Sequence, residues 1–177
     1  MSVPGEVNEG SVRLAESIAK AVLNSQRSVA VAESLTSGSL GCHLGAAEGS
    51  SQWFRGGVIA YTADVKFSVL GVDPGPVVTP GCARQMASGV ANLMDADIGV
   101  ALTGVGGPGP EEGKPEGTVF IAIVDDDGEQ VEEHHFSGGP AAVVYAATHQ
   151  ALAMLEASLH GGESSTFAQA GFDSDEL

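Results

Sequence analysis

The chain has 177 residues, 43% hydrophobic and 17% charged, with 23 acidic against 7 basic side chains and a formal net charge of −16. That length suits one globular domain able to bury a core. The bases Arg13, Lys20, Arg27, Arg55, Lys66, Arg84 and Lys114 stand singly, so nucleic acid is excluded as a partner for want of a basic face. No apolar run approaches the ~20 residues that span a bilayer, so no membrane is expected either.

In chain order, residues 1–10 are polar and contain Pro4, Gly5 and Gly10, which predicts a flexible N-terminal arm. Met1 to Glu6 carries neither the basic flank nor the apolar core of a secretory signal. Cys42 and Cys82 form neither a disulfide framework nor a metal-ligand spacing, and a reducing cytoplasm is the expected compartment. Val12, Ala15, Ile18, Ala19 and Val22 repeat at helical spacing behind Ser11 as a cap. Ser28 to Ala32 is a short branched apolar run, hence a buried strand. Gly38 to Ala47 predicts a second helix, with Leu40 and Leu44 one turn apart, and Glu48 to Ser51 a loop.

Gly56 to Tyr61 predicts another strand, followed by a short helix from Thr62 to Leu70 that Gly71 stops. Thr79 and Pro80 open a longer helix to about Met94, because proline suits a first turn where its missing N–H is not needed. Asp97 to Leu102 is a third strand. Thr118–Val124 and Gln130–Phe136 are strands joined through Asp125 to Gly128, an Asp-Gly hairpin signal. Pro140 opens a last helix that ends near Gly161. The fold class is therefore α/β: a single three-layer domain over residues 11–161, with a mixed parallel and antiparallel sheet covered by helices. Residues 162–177 predict a disordered acidic tail.

Three of these strands end in polar residues: Ser34, Tyr61 with Lys66, and Thr103. Parallel strands would gather them at one sheet edge, where open α/β sheets bind ligands. Ser34 suits a helix cap. It also suits a nucleophile if a base takes its proton, and a desolvated lysine can be that base where no histidine is placed for it. Tyr61 could relay the proton; the plain alternative for Lys66 is a solvated helix face. Gly104, Gly106 and Gly109 spell the dinucleotide pattern G-x-G-x-x-G, with Asp125 downstream. Pro108, Pro110 and Pro115 forbid the helix this pattern must open, and Walker A fails because Pro108 and Pro115 stand at required positions. What remains is a glycine loop that either only turns the chain or brings bare amides close to a phosphate or oxyanion.

Three stretches, Ala32-Glu33-Ser34-Leu35-Thr36-Ser37-Gly38, Gly49 to Tyr61 with Lys66 and Leu70-Gly71-Val72, and Leu102 to Pro108 with Lys114-Pro115 and Gly117, resemble the CinA family C-terminal domain. This family includes stand-alone nicotinamide-nucleotide amidohydrolases. The resemblance implies deamidation of nicotinamide mononucleotide to nicotinic acid mononucleotide and ammonia, with no metal or other cofactor. It implies Ser34 as nucleophile, Lys66 as base, Tyr61 as relay and Thr103 as a polar contact. Glu33, Thr36, Gly38, Gly104, Gly106, Gly107 and Lys114 are expected around the substrate, and a homo-oligomer is expected. The chain departs from the family at Leu35, where cysteine is usual, at Ser37, where glycine is usual, and at Gly139-Pro140, where an acidic residue and an arginine are usual. Arg55, Lys114 or the glycine-loop amides must then hold any phosphate. The alternative is a non-catalytic nucleotide-binding or protein-partner module.

Overall fold

The computed structural model describes residues 4–161, with side chains from residue 9 onward. The first helix, α1, is Pro4–Ser25. It starts well before the arm expected over 1–10 would end, since Pro4 is tolerated in a first turn. Ser11 consequently lies inside α1 and caps nothing; its hydroxyl pairs with His149 Nδ1 at 3.1 Å. The acidic tail expected over 162–177 lies outside the described residues.

The other elements are β1 (Val29–Glu33), α2 (Ser39–Gly45), α3 (Ser50–Trp53), β2 (Phe54–Ile59), α4 (Ala63–Leu70), α5 (Pro80–Met94), β3 (Ile98–Gly104), β4 (Thr118–Asp125), β5 (Gly128–His135) and α6 (Pro140–His160). Of the expected loop at 48–51, Glu48 and Gly49 form a turn while Ser50 and Ser51 join α3, because Trp53 is buried in the core and holds this single helical turn against it. Thr79 caps α5 through its hydroxyl, which accepts from the Cys82 amide at 3.0 Å, and Pro80 follows in the first turn. At the hairpin, Asp125 Oδ1 accepts the amides of Asp127 and Gly128, tightening the turn the Asp-Gly signal predicts.

The five strands form one sheet in the order β2-β1-β3-β4-β5. β1 pairs in parallel with β2 and β3, while β3–β4 and β4–β5 are antiparallel. Side chains alternate between the faces, as strand geometry requires. Val29, Val31, Ile98, Val100, Leu102 and Ile121 pack with Ile18, Leu40, Leu44, Leu152 and Leu155 from α1, α2 and α6. Each such fully buried aliphatic side chain contributes about 1.5–3 kcal/mol. The opposite face is smaller: Ala30, Ala32, Ala101 and Ala122 meet Ala83, Met86, Ala87 and Val90 of α5. These short side chains let α5 come close to the sheet. A Cβ on Gly99 would collide with the Ala87 carbonyl, so glycine there is a packing requirement.

Candidate active site

Strand register builds the site. Glu33 pairs with Ile59 on one side and with Leu102 on the other, so the next residues, Ser34, Ala60 and Thr103, emerge level at one edge. The Ser34 amide donates to the Leu102 carbonyl at 3.2 Å, and the Ala60 amide donates to the Glu33 carbonyl at 2.7 Å. Both bonds carry the strand pairing one residue past its formal end. Ser34 is thereby held rigidly where the chain turns toward α2.

Lys66 comes from α4 and is only 1% exposed. Its Nζ donates to Ser34 Oγ at 2.9 Å, to the Ala60 carbonyl at 2.8 Å and to the Tyr61 carbonyl at 3.3 Å. An ammonium has three N–H groups and finds three acceptors. Burial lowers the proton affinity of Lys66, and this is the largest influence; Cys82, Glu111 and Glu112 act in the opposite direction. In the neutral amine the two carbonyls can retain two N–H donors, which aims the lone pair at the Ser34 hydroxyl. Lys66 is therefore not on a solvated helix face, and the structure brings its Nζ together with Ser34 Oγ.

The remaining expected residues divide. Thr103 is buried beside the dyad, but its hydroxyl donates to the Val77 carbonyl at 2.8 Å rather than to Ser34. Tyr61 meets Lys66 through its backbone carbonyl; the residue is 65% exposed, and among the described residues its hydroxyl bonds neither Ser34 nor Lys66. Gly104, Gly106 and Gly107 line the cavity with the dyad, with Val105 and Pro108 in the same stretch of wall. Lys114 does not line it. Its ammonium lies 5.6 Å from the Phe120 ring centroid.

Glu33, expected against substrate, is a structural anchor. Its Oε2 accepts the amides of Gly38 at 3.0 Å and Leu40 at 3.1 Å, and Oε1 accepts that of Gly41 at 2.7 Å. A carboxylate thus satisfies the unpaired donors at the start of α2 and sits at its positive end. Gly38 takes φ 98°, which glycine adopts without strain, and its amide is committed to Glu33. Thr36 is buried with Oγ1 unpartnered among the described residues, and it does not line the cavity.

The cavity measures about 960 Å³. Its walls include Ser34, Lys66, Thr103 and residues the sequence reading did not single out: Glu111, Glu112 and Tyr145. Glu112 bridges two walls, since its carboxylate accepts the amides of Val77 at 2.9 Å and Val78 at 2.7 Å. Nothing local signals that contact, which joins residues some 35 positions apart. The expected phosphate partners Arg55 and Lys114 are both absent from the lining. A second groove of about 740 Å³ lies between α1 and α2, distant from the dyad. Among the described residues no three His, Cys, Asp or Glu side chains are arranged to hold a metal ion, and no helix is long and apolar enough to cross a membrane.

The model of the CinA C-terminal domain matches residues 11–159. The chain belongs to this family. A CinA-like protein of Thermosynechococcus vestitus is 41% identical over 155 residues, 82% of this chain and 37% of that protein. A putative competence-damage inducible protein of Bacillus subtilis is 44% identical over 115 residues, 62% of this chain and 28% of the other. The chain therefore spans about a third of the length of these curated relatives. Among solved structures, a competence-damaged protein (CinA) superfamily protein from Klebsiella pneumoniae superposes with TM-score 0.81 at 30% identity, covering 85% of this chain and 98% of that one. The competence/damage inducible protein CihA from Agrobacterium tumefaciens gives TM-score 0.77 at 31% identity, with coverage of 90% and 99%. The α/β fold read from the sequence is the CinA fold.

Proposed function

We propose that this chain is an amidohydrolase that releases ammonia from the carboxamide of a nicotinamide nucleotide through a Ser34–Lys66 acyl-enzyme. The resemblance to nicotinamide-nucleotide amidohydrolases implies nicotinamide mononucleotide as the substrate and nicotinic acid mononucleotide as the product. The observation that carries the reading is the buried 2.9 Å contact between Lys66 Nζ and Ser34 Oγ, at the mouth of three parallel strands.

Neutral Lys66 takes the Ser34 proton as Oγ bonds the amide carbon. The negative oxygen of the tetrahedral intermediate faces the glycine wall, whose main chain can come close at Gly104, Gly106 and Gly107. Lys66 then passes its proton to the departing nitrogen, the C–N bond breaks, and ammonia leaves an ester on Ser34. Water attacks that ester while Lys66 accepts its proton; the Oγ–C bond breaks and Ser34 is re-protonated. The reaction takes place in the cytoplasm, and the enzyme acts as a homo-oligomer.

Ammonia release from the mononucleotide tests the reading. Ser34→Ala should abolish release while leaving ligand binding measurable by calorimetry, and release undiminished in Ser34→Ala would sink the acyl-enzyme. A second reading, binding without turnover, draws on the cavity lining, which includes no arginine among the described residues. Binding of the mononucleotide without ammonia would select it.

A further inference from the structure

Two stretches far apart in the chain share the cavity wall: Val77-Val78, between α4 and α5, and Gly104 to Glu112, leading out of β3. The second contains Gly104, Gly106, Gly107 and Gly109, so its backbone is soft unless something outside it holds it. Most of its hydrogen bonds are local. Gly109 donates to Glu116 Oε2, Glu111 and Lys114 pair through their backbones, and Pro115 accepts from the Thr118 amide. Among the described residues, Glu112 alone of residues 106–116 reaches another segment by hydrogen bonds. Both of its carboxylate oxygens accept the Val77 amide at 2.9 Å, and Oε2 also accepts the Val78 amide at 2.7 Å. The other side of Val77 is taken as well, because its carbonyl accepts the Thr103 hydroxyl at 2.8 Å. Thr103 and Glu112 therefore grip one residue from the two ends of the glycine stretch and close the span between them. Glu112 does so at φ 49°, a left-handed conformation that strains any residue bearing a Cβ and persists where the surroundings impose it.

We infer that Glu112 is a positioning residue: its carboxylate latches the glycine loop onto the Val77-Val78 segment and so fixes the loop amides relative to Ser34. This role rests on the amidase reading, in which those amides face the oxygen of the tetrahedral intermediate. Reach, not charge, is what the latch requires. Burial lowers the proton affinity of Lys66, while Cys82 from the start of α5 and Glu111 and Glu112 from the loop raise it, so the negative charge of Glu112 works against a neutral lysine. Substitutions can therefore separate the two effects.

The test is ammonia release from nicotinamide mononucleotide across pH, with kcat taken on the high-pH plateau, for Glu112→Ala, Glu112→Asp and Glu112→Gln. Ala removes the acceptors and Asp withdraws them by one methylene, so each should lower plateau kcat by about tenfold or more while KM moves less than about threefold. Gln keeps one oxygen able to accept both amides and should recover kcat to within about threefold of wild type. Gln should also move the ionisation that controls kcat/KM to lower pH, whereas Asp keeps the charge and should leave it in place. A loss of stability alone would not produce that split. Plateau kcat near wild type in Ala or Asp, a loss in Gln as large as in Ala, or a change confined to KM overturns the positioning role and leaves the amidase standing. No ammonia from the wild type overturns the amidase reading, and NMR order parameters at Gly106 and Gly107 then decide the latch alone. Lower order in Ala that Gln recovers supports it, and equal order in all three proteins overturns it.

Discussion

Replacing Lys66 with methionine removes the proposed base while keeping most of the side-chain volume. Three acceptors lose their donor: Ser34 Oγ and the carbonyls of Ala60 and Tyr61. Each orphaned buried group costs about 1–3 kcal/mol. Deleting the buried amine also removes the cost of either desolvating its charge or neutralising it on folding, up to several kcal/mol, which offsets most of that loss. Net stability should therefore change by no more than about 2 kcal/mol. Activity should respond far more, because loss of a positioned general base costs about 10²–10⁴-fold, or about 2.7–5.4 kcal/mol in the barrier. Lys66→Arg is the companion variant. It retains charge and donors but cannot give up a proton, so it should fail equally while remaining folded. The assay is kcat from ammonia release, paired with a circular-dichroism melt of each variant. A folded Lys66→Met or Lys66→Arg protein that keeps more than about a tenth of the wild-type kcat refutes the base assignment.

Burial favours neutral Lys66, so in the wild type kcat/KM should rise with pH through one ionisation lying below the ordinary lysine value of 10.5 and then level off. Between that depressed value and 10.5 the unfolded chain holds more protons, so wild-type stability relative to Lys66→Met should increase with pH and be lost as pH falls through the folded-state value, as urea midpoints would show. Glu33→Ala strips the acceptor from the amides of Gly38, Leu40 and Gly41 at the start of α2 and should cost about 3 kcal/mol in urea unfolding and lower kcat more than it raises KM, whereas Glu33→Gln keeps one acceptor oxygen and should recover part of both. Gly99→Ala forces a methyl onto the Ala87 carbonyl and should lower Tm by about 2–10 °C by scanning calorimetry; an unchanged Tm would show that α5 can move aside. Ser28 hydrogen bonds hold the Asp97 carboxyl below its usual range, so Asp97→Asn should cost no more than about 1 kcal/mol at neutral pH after solvent screening, and the difference should vanish in acid melts as pH falls through the depressed value.

Much of this molecule is legible in one dimension. Element types and the hairpin follow from periodicity and turn chemistry, because each depends on residues a few positions apart. Ser34, Lys66 and Thr103 can be singled out because parallel strands send their ends to one edge, and that edge is where the cavity opens. The element ends are less legible: α1 begins at Pro4 because proline and glycine near a terminus do not by themselves decide between arm and helix.

Only the tertiary structure decided what each polar side chain does. Glu33 neighbours the nucleophile in sequence, yet strand alternation turns it onto the opposite side from the cavity, where it anchors α2. Tyr61 lies five residues before Lys66, yet it meets the lysine through its carbonyl because the turn into α4 leaves the residue exposed. Glu111, Glu112 and Tyr145 reach the cavity from a loop and a helix far along the chain. Their arrival depends on chain packing over long range, which local propensity does not encode. The sequence by itself determined that a serine and a lysine share one sheet edge. Three-dimensional packing determined that the lysine is dry, that its three donors are spoken for, and that Glu111, Glu112 and Tyr145 join the walls around it.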